Sequence, residues 1–350
     1  MEYIIDISMN KKGGQNVDII TLAHGSGGES THELINKIFY KHFNNEILMQ
    51  QGDSSILKNL GDRIAVTTDS YVINPLFFPG GDIGKLSICG TVNDLAVSGA
   101  KPLYITVGFI IEEGLEISEL ELIVKSMGET AKKCGVEIIA GDTKVVERGK
   151  GDKLYINTTG IGVFENNIDL TGSRINVGDK IIVSGTLGEH GIAILCMREG
   201  LNFETKIQSD CNSLHSLISD ILKAHSKVKF MRDITRGGLG TTLNEIIHGK
   251  EMGILLQERS IPVREDVSAI CEILGLDPLY MANEGKIIII VSEEDAEGVL
   301  KTIKNNLLGV NAKVVGEIVE NYEGKVYLKT EFNGTRALGM LQGEIIPRIC

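Results

Sequence analysis

The 350-residue chain has no tryptophan, no pair of cysteines at CxxC spacing and no basic run longer than Lys11-Lys12 or Lys132-Lys133. The missing tryptophan excludes nothing, but the other absences do. With 35 Lys and Arg against 47 Asp and Glu the net charge is −12, and there is no basic cluster to release counterions from a phosphate backbone, so nucleic-acid binding is excluded. The six cysteines, at 89, 134, 196, 211, 271 and 350, are too scattered for a structural zinc site or a redox dithiol. The first five read as small buried hydrophobes. No histidine pair at HxH or HxxxH spacing offers a metal site. The longest aliphatic run, Ile287 to Val291, is about a quarter of the ~20 residues a membrane helix needs. Met1 to Asn10 carries Glu2 and Asp6 and no basic region ahead of an apolar one, so it is not read as a secretory signal. A cytoplasmic protein is expected.

What is present is an ordinary globular composition, 42% hydrophobic and 23% charged, at a length that predicts two domains. The 41 glycines cluster in loops between apolar runs. Strands are expected at Ile64 to Thr68, Leu103 to Ile111, Val136 to Ala140 and Leu154 to Val163. Between the second and third, Ile117, Leu120, Val124, Met127, Ala131 and Cys134 recur at helical spacing, with Ser118 and Glu121 as a capping box. A polar stretch from Glu165 to Asp179 is the expected domain boundary. Beyond it come a strand at Lys180 to Ser184 and helices at Glu189 to Glu199 and Asp210 to Ala224. A strand at Lys286 to Val291, a helix at Glu293 to Asn305, and strands at Lys313 to Ile318 and Lys325 to Lys329 follow. The mixture, without a regular βαβ repeat, predicts an α/β (mixed α+β) fold of two domains, 21–170 and 171–340. A flexible polar arm, 1–20, precedes them and a mobile tail, 341–350, follows.

Five aspartates sit in Gly-flanked or strand-end contexts: Asp53, Asp69, Asp94, Asp142 and Asp233. Any one of them suits a turn or a helix cap. The set suggests Mg²⁺, which takes hard oxygen ligands together with substrate phosphates. Gly25, Gly27 and Gly28 precede a helix expected near Ser30, and Arg236-Gly237-Gly238 precedes another near Leu239; such loops can cradle phosphates. Neither fits GxGxxG, and Gly80-Gly81-Asp82-Ile83-Gly84-Lys85-Leu86 falls one residue short of a P-loop and has no Ser or Thr after Lys85. His24 and His190, in Gly-rich loops, are candidates for a polar ligand contact. Cys350 stands apart: a thiol ending a ten-residue tail is exposed and can sweep up to ~33–36 Å. Its own carboxylate is expected to raise its pKa and Arg348 to oppose that.

The ending Pro347-Arg348-Ile349-Cys350, with Thr68-Asp69-Ser70-Tyr71-Val72-Ile73-Asn74-Pro75-Leu76-Phe77-Phe78-Pro79-Gly80-Gly81, resembles the hydrogenase maturation factor HypE family. The likeness continues through Cys89-Gly90-Thr91-Val92-Asn93-Asp94, Gly141-Asp142-Thr143-Lys144, Ser184-Gly185-Thr186-Leu187-Gly188-Glu189-His190-Gly191, Arg232-Asp233-Ile234-Thr235-Arg236-Gly237-Gly238 and Ala282-Asn283-Glu284-Gly285-Lys286. It implies a two-domain fold like that of aminoimidazole ribonucleotide synthetase, with an ATP cleft made jointly by the paired subunits of a homodimer. It also implies that Cys350 accepts a carbamoyl group from the carbamoyltransferase HypF. ATP then drives dehydration of the thiocarboxamide to a thiocyanate, and the cyanide passes to iron on a HypC and HypD scaffold for [NiFe] hydrogenase. By position, the resemblance makes Lys144 and Glu284 candidate bases. Gly25, Gly27, Gly28, Asn93, Asp142, Thr143, Arg236 and Gly237 become nucleotide contacts, and Asp53, Asp69, Asp94 and Asp233 magnesium ligands. Within this fold, selenophosphate synthesis would want a reactive cysteine in the N-terminal Gly-rich region, whereas the first cysteine is Cys89. A kinase leaves Cys350 unused. A non-enzymatic maturation scaffold or carrier remains the alternative from another class.

Overall fold

The computed structural model describes residues 11–12, 15–16, 18–50, 54–58, 60–165, 168–198, 206–343, 346 and 348–350. Lys11–Lys12 (β1) and Gln15–Asn16 (β2) pair antiparallel. Ile19 bridges to Glu116 and Ile20 is fully buried, so the end of the expected arm belongs to the first core. A short helical segment follows, α1 (Glu29–Leu34), a π-helical turn (Ile35–Phe39) and α2 (Tyr40–Phe43).

The first sheet contains β3 (Ile64–Tyr71), β6 (Lys101–Glu112), β7 (Glu137–Val146) and β8 (Leu154–Val163), in the order β3-β8-β6-β7. A small hairpin, β4 (Phe77–Phe78) and β5 (Gly81–Asp82), leads into α3 (Ile83–Val97). With α4 (Ile117–Cys134), α3 packs on one face of this sheet. The stripe expected on α4 is the face it buries: Leu120, Val124, Met127, Ala131 and Cys134 all lie in the core.

The capping box is not formed. The helix begins at Ile117, whose N–H donates to the Asp18 carbonyl, so the chain at 18–20 supplies the acceptor that Ser118 was expected to provide. Glu121 pairs instead with Lys41. α3 gave no periodic signal because nearly all of it is buried between elements on every side, and a helix apolar all round has no polar face to mark it.

The second sheet runs β10-β12-β9-β13-β11-β14-β15. Its strands are β9 (Lys180–Val183), β10 (Val228–Asp233), β11 (Gly253–Gln257), β12 (Ile287–Val291), β13 (Lys313–Val319), β14 (Val326–Lys329) and β15 (Thr335–Leu338). Helices α5 (Glu189–Arg198), α6 (His215–Ala224), α7 (Gly238–Ile247), α8 (Glu265–Leu274) and α9 (Glu293–Lys304) accompany it. On β12, Ile287, Ile289 and Val291 face a cluster with α6 and α9, while Ile288 and Ile290 face α7. A strand covered on both faces reads as an unbroken apolar run, which explains Ile287 to Val291. Ile289→Ala should therefore cost about 2–5 kcal/mol, measurable by urea unfolding. Among the described residues, no helix is long and apolar enough to cross a membrane.

Two boundaries differ in ways that matter for chemistry. β3 continues to Tyr71 through pairing with Ile156, and β7 to Val146 through pairing with Glu112, so Asp69 and Asp142 are strand residues and not loop residues. α6 starts at His215, five residues later than expected, because the Asp210 carboxylate is held by the N–H groups of Glu284 and Gly285 and by the Lys286 ammonium.

Candidate active site

Strand alternation sorts the candidates onto two faces of the first sheet. On β3, Thr67, Asp69 and Tyr71 point inward toward α3, and Thr68 and Ser70 point out. The register places Ser70, Asn157, Gly108 and Asp142 side by side, and Ile110 beside Lys144, so Asp142 and Lys144 are on the outer face. There they pair with each other at 3.0 Å. Three inter-strand steps, roughly 14 Å, separate β3 from β7. Within one chain, Lys144 and Asp142 are therefore not brought to Asp69.

The inward face gathers three aspartates. Asp69 accepts from the Tyr71 hydroxyl at 3.3 Å, and Asp94, on α3, accepts from Thr67 at 2.8 Å. Asp233 ends β10. Burial first, then the charges of Asp233 and Asp69, push Asp94 up to about 8. Burial likewise pushes Asp233 up to about 6, with Arg232 opposing and Asp69 adding to it. These carboxylates feel one another, yet among the described residues no three His, Cys, Asp or Glu groups converge enough to hold an ion as they stand. Their donors are nevertheless hard oxygens whose mutual repulsion a divalent cation would relieve, so the residues fit magnesium in kind. Asp53 lies outside the described residues.

The C-terminal tail lies against this region, and the thiol is not exposed. The Cys350 carbonyl accepts from Val72 N–H at 3.1 Å and the Arg348 carbonyl from Asn74 N–H at 3.4 Å, so the chain end runs beside 72–74 like an added strand. The Arg348 guanidinium donates to the Val72 carbonyl at 2.9 Å and pairs with Asp152, and Arg198 donates to the Arg348 carbonyl. Arg348 adopts φ +53°, a left-handed conformation uncommon outside glycine. His190 donates to the Ile349 carbonyl at 2.8 Å.

Burial pushes the Cys350 thiol up to about 12, with the charge of Glu284 adding to it and Arg236 opposing. Arg236 thus plays the part expected of Arg348, which is engaged elsewhere. Arg236, Gly237, Thr241, Ala282 and Cys350 line a common cavity of about 340 Å³. Gly237 caps α7 with φ +77°. Glu284 is only 4% exposed, and its Oε1 has no hydrogen-bond partner. Burial raises its pKa well above the ordinary carboxylate range, with nearby acidic groups contributing. A carboxyl in this state suits proton transfer.

Other expected contacts have different duties. Asn93 is buried with both ends of its amide engaged: Nδ2 donates to the Asn212 carbonyl at 3.0 Å and Oδ1 accepts from Leu214 N–H at 2.7 Å. It pins the loop before α6. Gly25 packs against Val145, where a Cβ would lie 2.7 Å from the backbone nitrogen. The Gly27 N–H donates to Thr31, and Gly28 caps only the six-residue α1. Gly25 thus lies against β7, whose Thr143 lines a second cavity of about 250 Å³ together with Phe39 and Phe109. His24 turns back onto Thr21. Of the five cysteines expected in the core, Cys89, Cys134, Cys211 and Cys271 are buried and Cys196 is half-buried. The residues sequence reasoning missed are Asp210, Arg198 and Thr241, each in a segment whose neighbours are distant in sequence.

Residues 51–164 match the AIR synthase related protein N-terminal domain, and residues 176–329 match its C-terminal domain. The carbamoyl dehydratase HypE of Bradyrhizobium diazoefficiens is 48% identical over 332 residues, 95% of this chain and 96% of that protein. A crystal structure of hydrogenase maturation protein HypE in complex with ATP is similar at TM-score 0.90 and 45% identity, covering 94% of this chain and 99% of that one. A HypE–HypF complex is similar at TM-score 0.77 and 42% identity, covering 88% and 99%. With matching domains, near full-length likeness and a cysteine-ended tail docked on a buried carboxyl, the chain belongs to the carbamoyl dehydratase HypE family.

Proposed function

We propose that the chain carries a carbamoyl group on Cys350 as a thiocarboxamide and dehydrates it with ATP to a thiocyanate, the source of cyanide for the [NiFe]-hydrogenase iron. The observation that carries this reading is the docked tail, which sets the thiol in one cavity with Arg236 and within reach of the charge of Glu284. Hydroxide is a poor leaving group, so the carbamoyl oxygen takes the γ-phosphoryl group and departs as phosphate. The nitrogen gives up both protons as the C≡N bond forms. Overall, thiocarboxamide and ATP yield thiocyanate, ADP and phosphate.

Glu284 is the base we assign to the docked tail. Its carboxylate, raised by burial, takes a proton more readily than a free one. Arg236 stands at the cavity wall to meet the charge of the transferring group. Asp69, Asp94 and Asp233, with Asp53, would hold magnesium, which when bound cancels charge on the triphosphate.

Lys144, Asp142 and Thr143, with Gly25 and its neighbours, enter this reading from a paired copy. The outer face of the first sheet supports such pairing: Ile64 and Val66 are 53% and 61% exposed toward one end of it, and Ile110 is exposed toward the other. The partners that follow are a carbamoyltransferase of the HypF kind and a HypC and HypD acceptor, all in the cytoplasm.

The test is intact mass after incubation with the transferase and carbamoyl phosphate, followed by MgATP. The expected result is a carbamoyl adduct that loses one water only when ATP is present. No adduct with a competent transferase, or an adduct indifferent to ATP, would replace this reading with a carrier or another enzyme of the same fold.

A further inference from the structure

We propose that His190 is the latch that holds the C-terminal tail inward and so fixes where the Cys350 thiol sits for dehydration. The inference rests on the function proposed above but is argued from a chain of hydrogen bonds that runs through the ring to the tail backbone. The Cys211 N–H donates to Ser209 Oγ at 3.0 Å. Ser209 Oγ, which can donate or accept, lies 2.7 Å from His190 Nδ1. The Ile349 carbonyl, 2.8 Å from Nε2, can only accept, so Nε2 carries a proton and donates to it. In the neutral imidazole, Nδ1 then accepts from the Ser209 hydroxyl. Burial, which holds its pKa below the ordinary value, favours the same state.

The protein side of the latch is rigid. His190 is fully buried at the start of α5, the Phe78 ring meets it edge-on at 5.5 Å between centroids, and Ser209 N–H is anchored on the Pro79 carbonyl at 2.7 Å. On the tail side, Arg348 holds a left-handed conformation that an extended tail would relax, against its bonds to Val72 and Asp152. When the tail leaves, Nε2–H loses its acceptor in an apolar pocket, and that cost favours its return. The contact is made to the backbone of Ile349, immediately before the thiol residue, and involves no atom of the Cys350 side chain. It therefore persists whether the sulfur carries a proton, a carbamoyl group or a cyano group. His190 is thus a positioning residue for the tail and not a proton carrier.

The test is the rate of Cys350 alkylation by iodoacetamide in the full chain, resolved from the other cysteines by mass mapping of the C-terminal peptide. His190→Leu should raise that rate about fivefold or more, as expected for one lost hydrogen bond and its orphaned partner. His190→Gln, which keeps an N–H donor, should stay near wild type. Ser209→Ala, which frees the tautomer, should fall between them. Folding is checked by circular dichroism, and Ser209→Ala against His190→Gln carries the test should the leucine variant not fold. In the same preparations, carbamoyl loading should be unchanged or faster in His190→Leu while dehydration slows. Folded His190→Leu and Ser209→Ala alkylated at the wild-type rate, or glutamine failing to restore protection, would overturn the latch. Absent dehydration with altered alkylation would instead overturn only the proposed function.

Discussion

Replacing Glu284 by glutamine is expected to slow the ATP-dependent loss of water from carbamoylated Cys350 by about 10²–10⁴-fold, the usual contribution of a positioned acid or base. Carbamoyl loading should be retained, because the thiol and tail are untouched. The substitution is close to isosteric, so the buried site keeps its volume, and the unpartnered Oε1 becomes an amide group that cannot take a proton. Removing the side chain altogether is less informative, since it would open a cavity at a site that is only 4% exposed. Single-turnover measurement on preloaded protein isolates the step. Unchanged dehydration in Glu284→Gln would remove Glu284 from the chemistry and leave it a fold residue.

Deleting Ile349 and Cys350 should abolish both loading and dehydration, with thermal stability falling only modestly. Ile349 is buried, and its loss removes the His190 contact together with a small apolar area, so a change of about 1–3 kcal/mol is expected. Neither domain core depends on the tail for a strand. Cys350→Ala separates the two effects: it keeps the docked backbone and removes only the sulfur, so it should be inert to the transferase at nearly unchanged stability. Persistent carbamoylation of the truncated chain, located by peptide mass, would place the acceptor elsewhere.

The fold was legible where burial is one-sided. The α4 stripe and the Leu154–Val163 strand emerge at their observed bounds because each alternates between core and exposed faces at its own period. It was illegible where burial is complete, as on α3, or where a distant segment sets the boundary, as at Asp210 and at the N-terminus of α4. The site divides in the same way. Residue type and resemblance nominated Asp69, Asp94, Asp233, Glu284, Arg236 and Cys350, and the fold brings these together. Asn93 was nominated on the same grounds, but its amide is taken by a loop about 120 residues away, as hydrogen bonds of 119 and 121 residues separation record. No local pattern reports whether a polar side chain is already satisfied.

The alternation along the first sheet has a consequence for inheritance. Asp69 and the tail occupy its inner face while Lys144 and Asp142 occupy the outer one, so a cleft needing both draws them from two copies. In the pairing proposed above, the unit of function is the pair. A chain damaged at Glu284 and another damaged at Lys144 each supply what the other lacks, and one of the two clefts in their mixed dimer is whole. Under that pairing, alleles at the two positions are expected to complement one another although they lie in one gene, whereas alleles at Glu284 and Cys350, which act on the same tail, are not.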